Sequence, residues 1–279
     1  MSEQRSDRAS NVSGRGHRAK KRYGQHFLEA VWAERLVTAI APAADDRFLE
    51  IGPGAGALTL RLAPLVGHIT AVEVDPDMIA ALTPRLPANA TIVAGDFLDF
   101  DFTSIDAPKG IRVAGNLPYN AAAHIILKLL SATRQGIALA DATLMIQREV
   151  ADRIEAAPGT KDYGTLSIFV QLRASVTRLL TLPPGAFRPV PKVHSAVIRL
   201  AFRDPVVTMR DERTLEALVR SIFTQRRKTL SNALRRFADA HGIAPRDALA
   251  RSSLDGTRRP ETLQLAELAR LADVFSSTA

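Results

Sequence analysis

Cysteine is absent from this 279-residue chain. That removes disulfide frameworks, thiol nucleophiles and thiolate metal sites, and it fits a reducing compartment such as the cytoplasm. No apolar run approaches the roughly 18 residues that a membrane-spanning helix needs, so no membrane span is expected. The first 22 residues are polar and basic, without the apolar stretch of a secretory signal, and read as a disordered basic tail. The six histidines (17, 26, 68, 124, 194 and 241) lack the spacing of a metal-binding helix, so no metal site is expected. Internal repeats and low-complexity tracts are missing as well. The single tryptophan, Trp32, lies in an amphipathic stretch and reads as core.

What is present is an unevenly placed positive charge. The formal net charge is +8, yet residues 23–204 carry 17 Lys and Arg against 18 Asp and Glu. The excess sits in the first 22 residues, 7 against 2, and in residues 205–260, 12 against 6. Clustered cations displace counterions from phosphates, so a polyanionic partner touched by both flanks is expected. Arg226, Arg227, Lys228, Arg235 and Arg236 recur at helical spacing in the second of these segments and are the candidate phosphate contacts.

Short β-rich runs alternate with helical patterns over residues 47–203. Strands are expected at Arg47–Ile51, His68–Val74, Ala90–Ala94, Ile111–Ala114 and Ala142–Ile146, with helices near 57–65, 77–86, 120–131 and 148–156. This alternation predicts an α/β fold with a Rossmann-like, doubly wound, mostly parallel sheet. Ser175–Leu182 and Ser195–Phe202, joined by a Pro-rich turn, predict an antiparallel hairpin that closes the sheet. From about 209 the pattern is purely helical. The expected organisation is therefore a tail over 1–22, a ligand-binding domain over 23–204 and a small all-helical domain over 205–279, with Asp204–Pro205 as the joint.

The first strand runs into Glu50-Ile51-Gly52-Pro53-Gly54-Ala55-Gly56, where glycines let the chain turn and let a ligand lie on bare backbone at Gly52 and Gly54. Glu73 closes the second strand, placed to accept hydrogen bonds from ribose hydroxyls, and Asp96 ends the third, where it can accept from an adenine amino group. Asp75, followed by Pro76, reads as a helix N-cap. A dinucleotide is the rival ligand. Its pyrophosphate prefers G-x-G-x-x-G, whereas position 57 is Ala; S-adenosylmethionine, with ribose and adenine but no phosphate, fits the pattern better.

The fourth strand ends in Gly115-Asn116-Leu117-Pro118-Tyr119. An adenine N6 amine is a poor nucleophile because its lone pair is delocalised into the ring. Acceptors that bind its two N–H bonds pull the nitrogen towards tetrahedral geometry. The Asn116 side-chain oxygen and the Leu117 carbonyl, held extended by Pro118, can supply both, and Tyr119 can stack on a base that has left its helix.

With Tyr23–Leu28, Glu50–Gly56, Val72–Asp75, Asn116–Tyr119, Phe187–Val193 and Gln225–Leu230 in this order, the chain resembles the ribosomal RNA adenine dimethyltransferase family. The branch it resembles dimethylates two adjacent adenosines near the 3′ end of small-subunit ribosomal RNA. The resemblance implies S-adenosylmethionine as cofactor, held by His26, Leu28, Gly52, Glu73, Asp96 and Asn116. It implies that Asn116, Leu117 and Tyr119 handle the target amine and base, that Phe187 packs on the flipped adenine, and that a cytoplasmic monomer acts on ribosomal RNA within a pre-ribosomal particle. The family often has Asn where His26 stands, and a basic residue where Ser231 stands. Two other readings remain open at this point: the related branch that modifies one adenine of large-subunit RNA, and a non-enzymatic binding protein of the same fold.

Overall fold

The computed structural model describes residues 26–276. The tail over 1–22 and Tyr23–Gln25 lie outside the described residues. Strands are β1 (Phe27–Leu28), β2 (Arg47–Ile51), β3 (His68–Glu73), β4 (Ala90–Ala94), β5 (Ile111–Asn116), β6 (Leu139–Gln147), β7 (Ala174–Leu182), β8 (Phe187–Arg188) and β9 (Ser195–Phe202). Helices are α1 (Ala30–Ile40), α2 (Thr59–Leu62), α3 (Pro76–Leu82), α4 (Ala122–Arg134), α5 (Arg148–Glu155), α6 (Thr165–Arg173), α7 (Glu212–Phe223), α8 (Leu230–Ala240), α9 (Pro245–Ser252) and α10 (Leu265–Asp273).

Seven strands form one sheet in the order β4-β3-β2-β5-β6-β9-β7. The first five are parallel to one another; β9 runs antiparallel to both β6 and β7. The chain starts in the middle at β2, winds outward through β3 and β4, then returns to lay β5 on the other side of β2. The crevice between the carboxyl ends of β2 and β5 is thus the point where the winding direction reverses, which is where open α/β sheets bind ligands.

Alternation along each strand divides the sheet's two faces. Leu49, Ile51, Leu144, Ile146, Ile198 and Leu200 pack with α4 and α6 in one core. Phe48, Met145 and Val197 face the other way and pack with α1 and α2. The expected helix over 57–65 is shorter than its pattern suggests, because Pro64 converts its last turn to a 3-10 helix over Ala63–Leu65. Asp75 caps α3 as expected, its carboxylate accepting from the Asp77 N–H at 3.1 Å.

The helical segment α7–α10 shares the first of these cores, since Leu215, Leu218, Val219, Leu234 and Leu268 belong to the same buried cluster as the sheet residues. Arg173 on α6 grips Glu212 on α7 through two bonds of 2.7 and 2.5 Å, and Arg134 on α4 meets Glu216 at 2.6 Å. These pairs register the helical segment on the sheet.

At the centre of the sheet Gly115 pairs with Ile51. A Cβ on Gly115 would lie 2.7 Å from the Ile51 carbonyl oxygen and 3.1 Å from its Cβ, both fixed in the neighbouring strand. Gly115→Ala must therefore prise β2 from β5. We expect a loss of about 1–3 kcal/mol in chemical denaturation, the usual cost of overpacking; an unchanged midpoint would show that the strands yield freely.

Candidate active site

The residues at the carboxyl ends of β2, β3, β4 and β5 surround one cavity of about 620 Å³. That volume lies within the range of roughly 300–1,000 Å³ typical of small-molecule sites. His26, Leu28, Gly52, Gly54, Glu73, Asp96, Asn116, Leu117, Pro118 and Tyr119 all line it. Residues expected from four separate strand ends and from the segment ahead of α1 are thus brought together.

The glycine-rich turn follows β2 with Gly52, Gly54 and Gly56 at φ +66°, +53° and +83°, the left-handed region that favours glycine. At Gly54 a Cβ would also press on the Phe27 ring at 3.3 Å, and at Gly56 it would fall 2.5 Å from Leu82. The N–H groups of these glycines are already used. Gly52 donates to the Val72 carbonyl at 2.9 Å, Gly56 to the Pro53 carbonyl at 2.9 Å and Gly54 to Glu73 Oε2 at 3.0 Å. A pyrophosphate needs such donors free, so the turn suits a ligand without one.

Glu73 is more committed than a ribose acceptor alone would be. Besides Gly54, its Oε1 accepts from the Val74 and Asp75 N–H groups, each at 2.9 Å. It both fastens the turn to β3 and faces the cavity. Asp96 is exposed at the end of β4, with Oδ1 capping the Leu98 N–H at 2.8 Å.

The sequence reading passed over Glu50, although a charged residue in the apolar strand RFLEI was its signal. Glu50 is 2% exposed, lines the cavity, and its Oε2 has no hydrogen-bond partner. Burial pushes its carboxyl up to about 7; the adjacent Thr59 hydroxyl and amide pull the other way without reaching hydrogen-bond geometry at Oε2, and the charge of Glu73 adds to the rise. Two arginines line the cavity too, but they serve the turn: Arg61 donates to the Ala57 carbonyl at 2.9 Å and Arg85 to the Ala55 carbonyl at 3.2 Å.

At the end of β5 the Asn116 amide nitrogen donates to the His26 carbonyl at 2.8 Å. A carbonyl can only accept, so this bond fixes which end of the amide is which and leaves Oδ1 as an acceptor with no donor among the described residues. The Leu117 N–H is bound to the Met145 carbonyl at 3.0 Å, and no described residue donates to the Leu117 carbonyl. Two uncommitted oxygens therefore sit on adjacent residues of one cavity wall. Tyr119 is held from two directions: its hydroxyl meets Ser195 Oγ at 2.9 Å, and its ring stacks on His26 at 5.6 Å between centroids. His26 Nδ1 bonds the Pro189 carbonyl at 2.7 Å in turn.

Two of the expected residues have other contacts in the structure. Phe187 does not line the cavity. Its strand β8 pairs with β1, Leu28 opposite Phe187, and its side chain is fully buried in the core beneath α1 and α2, so packing on an extruded adenine would require that core to open. Arg226 is not a free cation. It donates to the Lys161 carbonyl at 2.5 Å and pairs with Glu261 at 3.2 Å, clamping two loops. Arg227 remains exposed, while Lys228, Arg235 and Arg236 line a second hollow of about 630 Å³ with Gln225, Asn232 and Asp239.

Known proteins resemble this chain along most of its length. The family model described as ribosomal RNA adenine dimethylase matches residues 16–270. A protein named ribosomal RNA small subunit methyltransferase A from Pseudomonas savastanoi is 43% identical, over 93% of this chain and 96% of its own length. One of the same name from Xanthomonas euvesicatoria is 44% identical, over 92% and 96%. Among solved structures, a dimethyladenosine transferase from Plasmodium falciparum superposes with TM-score 0.73 at 24% identity, covering 88% of this chain and 96% of that one. The 23S rRNA methyltransferase ErmE gives 0.60 at 26%, covering 88% and 98%. From the model match over most of its length and relatives above 40% identity along nearly all of it, this chain belongs to the ribosomal RNA adenine dimethylase family.

Proposed function

We propose that the protein dimethylates N6 of two adjacent adenosines in a hairpin near the 3′ end of small-subunit (16S) ribosomal RNA, using S-adenosylmethionine. It does so as a cytoplasmic monomer, on a pre-ribosomal particle late in subunit assembly. The observation that carries this reading is the pair of acceptors without a donor among the described residues, Asn116 Oδ1 and the Leu117 carbonyl, beside a cavity in which Glu50 Oε2 is unpartnered.

S-adenosylmethionine, when bound, supplies an electrophilic methyl group on a cationic sulfur. The residues present fit such a group: the glycine N–H groups are spent, the free carboxyl is Glu50, and Glu73 and Asp96 offer acceptors for ribose and adenine. On the substrate side, Asn116 and Leu117 bind the two N–H bonds of the amine and turn its lone pair out of the ring. A monomethylated amine keeps one N–H, so one acceptor suffices to orient it for the second transfer. Tyr119, braced by Ser195 and His26, gives the extruded base a flat surface. Such positioning, rather than a strong base, carries the catalysis, because the methylated nitrogen loses its proton readily. Exposed Arg227, Lys228, Arg235 and Arg236 would hold RNA phosphates and read shape.

Labelled-methyl transfer to small-subunit particles lacking the modification tests the reading directly. Dimethyladenosine should appear at the adjacent pair, and a product on large-subunit RNA instead would reject it. Asn116→Ala should lower the single-turnover rate at saturating cofactor by about 10²–10³, the usual effect of deleting one preorganised polar contact.

Glu50 makes the ligand-free protein sensitive to pH. Its folded pKa, about 7, lies above the ordinary 4.5, so the folded state holds a proton that the unfolded chain gives up. That contribution is complete below pH 4.5 and is lost as pH rises through 7, on the order of 3 kcal/mol in all. A cationic ligand prefers the ionised carboxylate, so cofactor affinity should tighten over the same interval. Glu50→Gln should flatten both dependences, as followed by thermal melting and calorimetry.

If Arg235 and Arg236 each neutralise a phosphate, replacing both with Ala lowers the slope of log affinity against log salt by about 1.5. Arg226→Ala should leave that slope unchanged and cost stability instead, because its guanidinium is occupied by Lys161 and Glu261.

A further inference from the structure

The segment between β8 and β9 exposes apolar side chains where a soluble loop usually carries polar ones. Of residues 188–194 only Pro191 is buried. Val190 is 55% and Val193 41% exposed, among the most open large apolar side chains of the described residues. Lys192 stands between them, exposed and in no ion pair among the described residues, whereas Arg188 is occupied by Glu29 at 3.2 Å.

Both ends of this loop are tied to the aromatic wall of the cavity. The Pro189 carbonyl, one residue before Val190, holds His26 Nδ1 at 2.7 Å. Ser195, two residues after Val193, holds the Tyr119 hydroxyl at 2.9 Å. The His194 carbonyl, between them, accepts from the Arg148 N–H at 3.0 Å, which fixes the loop to the start of α5. Since His26 and Tyr119 stack on each other and line the cavity, Val190 and Val193 belong to a loop anchored on both sides to the cavity wall.

We propose that Val190 and Val193 form a wedge that enters the RNA beside the extruded adenosine and covers the face its neighbour loses, while Lys192 takes the adjoining phosphate. This rests on the adenine-methylating reading. Extruding a base leaves its neighbours unstacked in water, and an apolar side chain placed in the gap restores buried contact. Phe187 is fully buried, and Val190 and Val193 are the large aliphatic side chains that this loop exposes. The chemistry of the strip, two aliphatic side chains around one free cation, fits a nucleic-acid strand: a base face on either side of a phosphate.

The test uses full-length protein and small-subunit particles lacking the modification. Val190→Ser with Val193→Ser should lower the single-turnover methylation rate at least about tenfold while particle affinity, by filter binding, and cofactor affinity, by calorimetry, stay within about twofold. The melting temperature should hold, since both side chains are exposed. Val190→Ile with Val193→Ile should restore the rate, because it restores apolar area without polarity. Lys192→Met should weaken particle binding and reduce its salt dependence by about one unit of slope. Loss of particle affinity in the serine variant at an unchanged rate would mean that the valines dock on a protein of the particle, and would overturn the wedge. An unchanged rate and affinity would overturn it as well. Failure of the wild-type protein to methylate the particle would reject the underlying reading, and the wedge with it.

Discussion

The parallel pairing of β2 with β5, and within it the contact of Gly115 with Ile51, sets the distance on which the rest of the site depends. β2 delivers the glycine turn, and β5 delivers Asn116 and Leu117. Because adjacent strands lie only about 4.7–4.9 Å apart, the ligand cradle and the amine acceptors face one crevice without any intervening loop. A reaction that needs donor and acceptor in contact, with little acid–base chemistry, requires this kind of rigidity. Elements farther out serve the same end. β1 pairs with β8 and brings the His26 carbonyl onto the Asn116 amide, so that even the rotamer of the acceptor is decided by a strand pair outside the main sheet.

Much of this was legible in the sequence because it is written in local terms. Four of the five parallel strands, β2 to β5, are short apolar runs that end in or run into Gly, Glu, Asp or Asn, and Gly52, Glu73, Asp96 and Asn116 line the cavity. Ser195–Phe202 has the bounds its apolar run predicts, closed on one side by Arg203-Asp204. Helix α6 was not foreseen. It buries Leu166 through Val170 consecutively, so it has no polar face and no amphipathic period to read. The pairing of Phe27–Leu28 with Phe187–Arg188 joins segments about 160 residues apart through two residues each, which leaves no periodic trace. That unseen pairing is also the reason Phe187 was misplaced: a phenylalanine in a proline-rich loop suggests an exposed ring, and only the strand partner turns it inward. Arg226 illustrates the same limit for charge. Its neighbours Arg227 and Lys228 stay in solvent, but nothing in QRRK distinguishes the cation that finds a carbonyl and a carboxylate from those that do not.

The cavity holds two glutamates in contrasting states, and their difference is an argument about what completes the site. Glu73 accepts three backbone N–H bonds, so its charge is compensated by the fold itself. Glu50, one strand over, is more deeply buried and has an oxygen with no partner. An unpaired carboxyl in that position is a cost that folding alone does not offset, since buried polar groups are ordinarily satisfied. A ligand with no hydrogen-bond donor for that oxygen would leave the cost standing. A cation would remove it, exchanging a desolvated acid for an ion pair across a low-dielectric wall. The methyl donor of this family carries its positive charge on the atom that reacts, and loses it in the transfer. With that sulfur bound beside Glu50, the carboxylate would favour the charged donor over the product, whose sulfur is neutral.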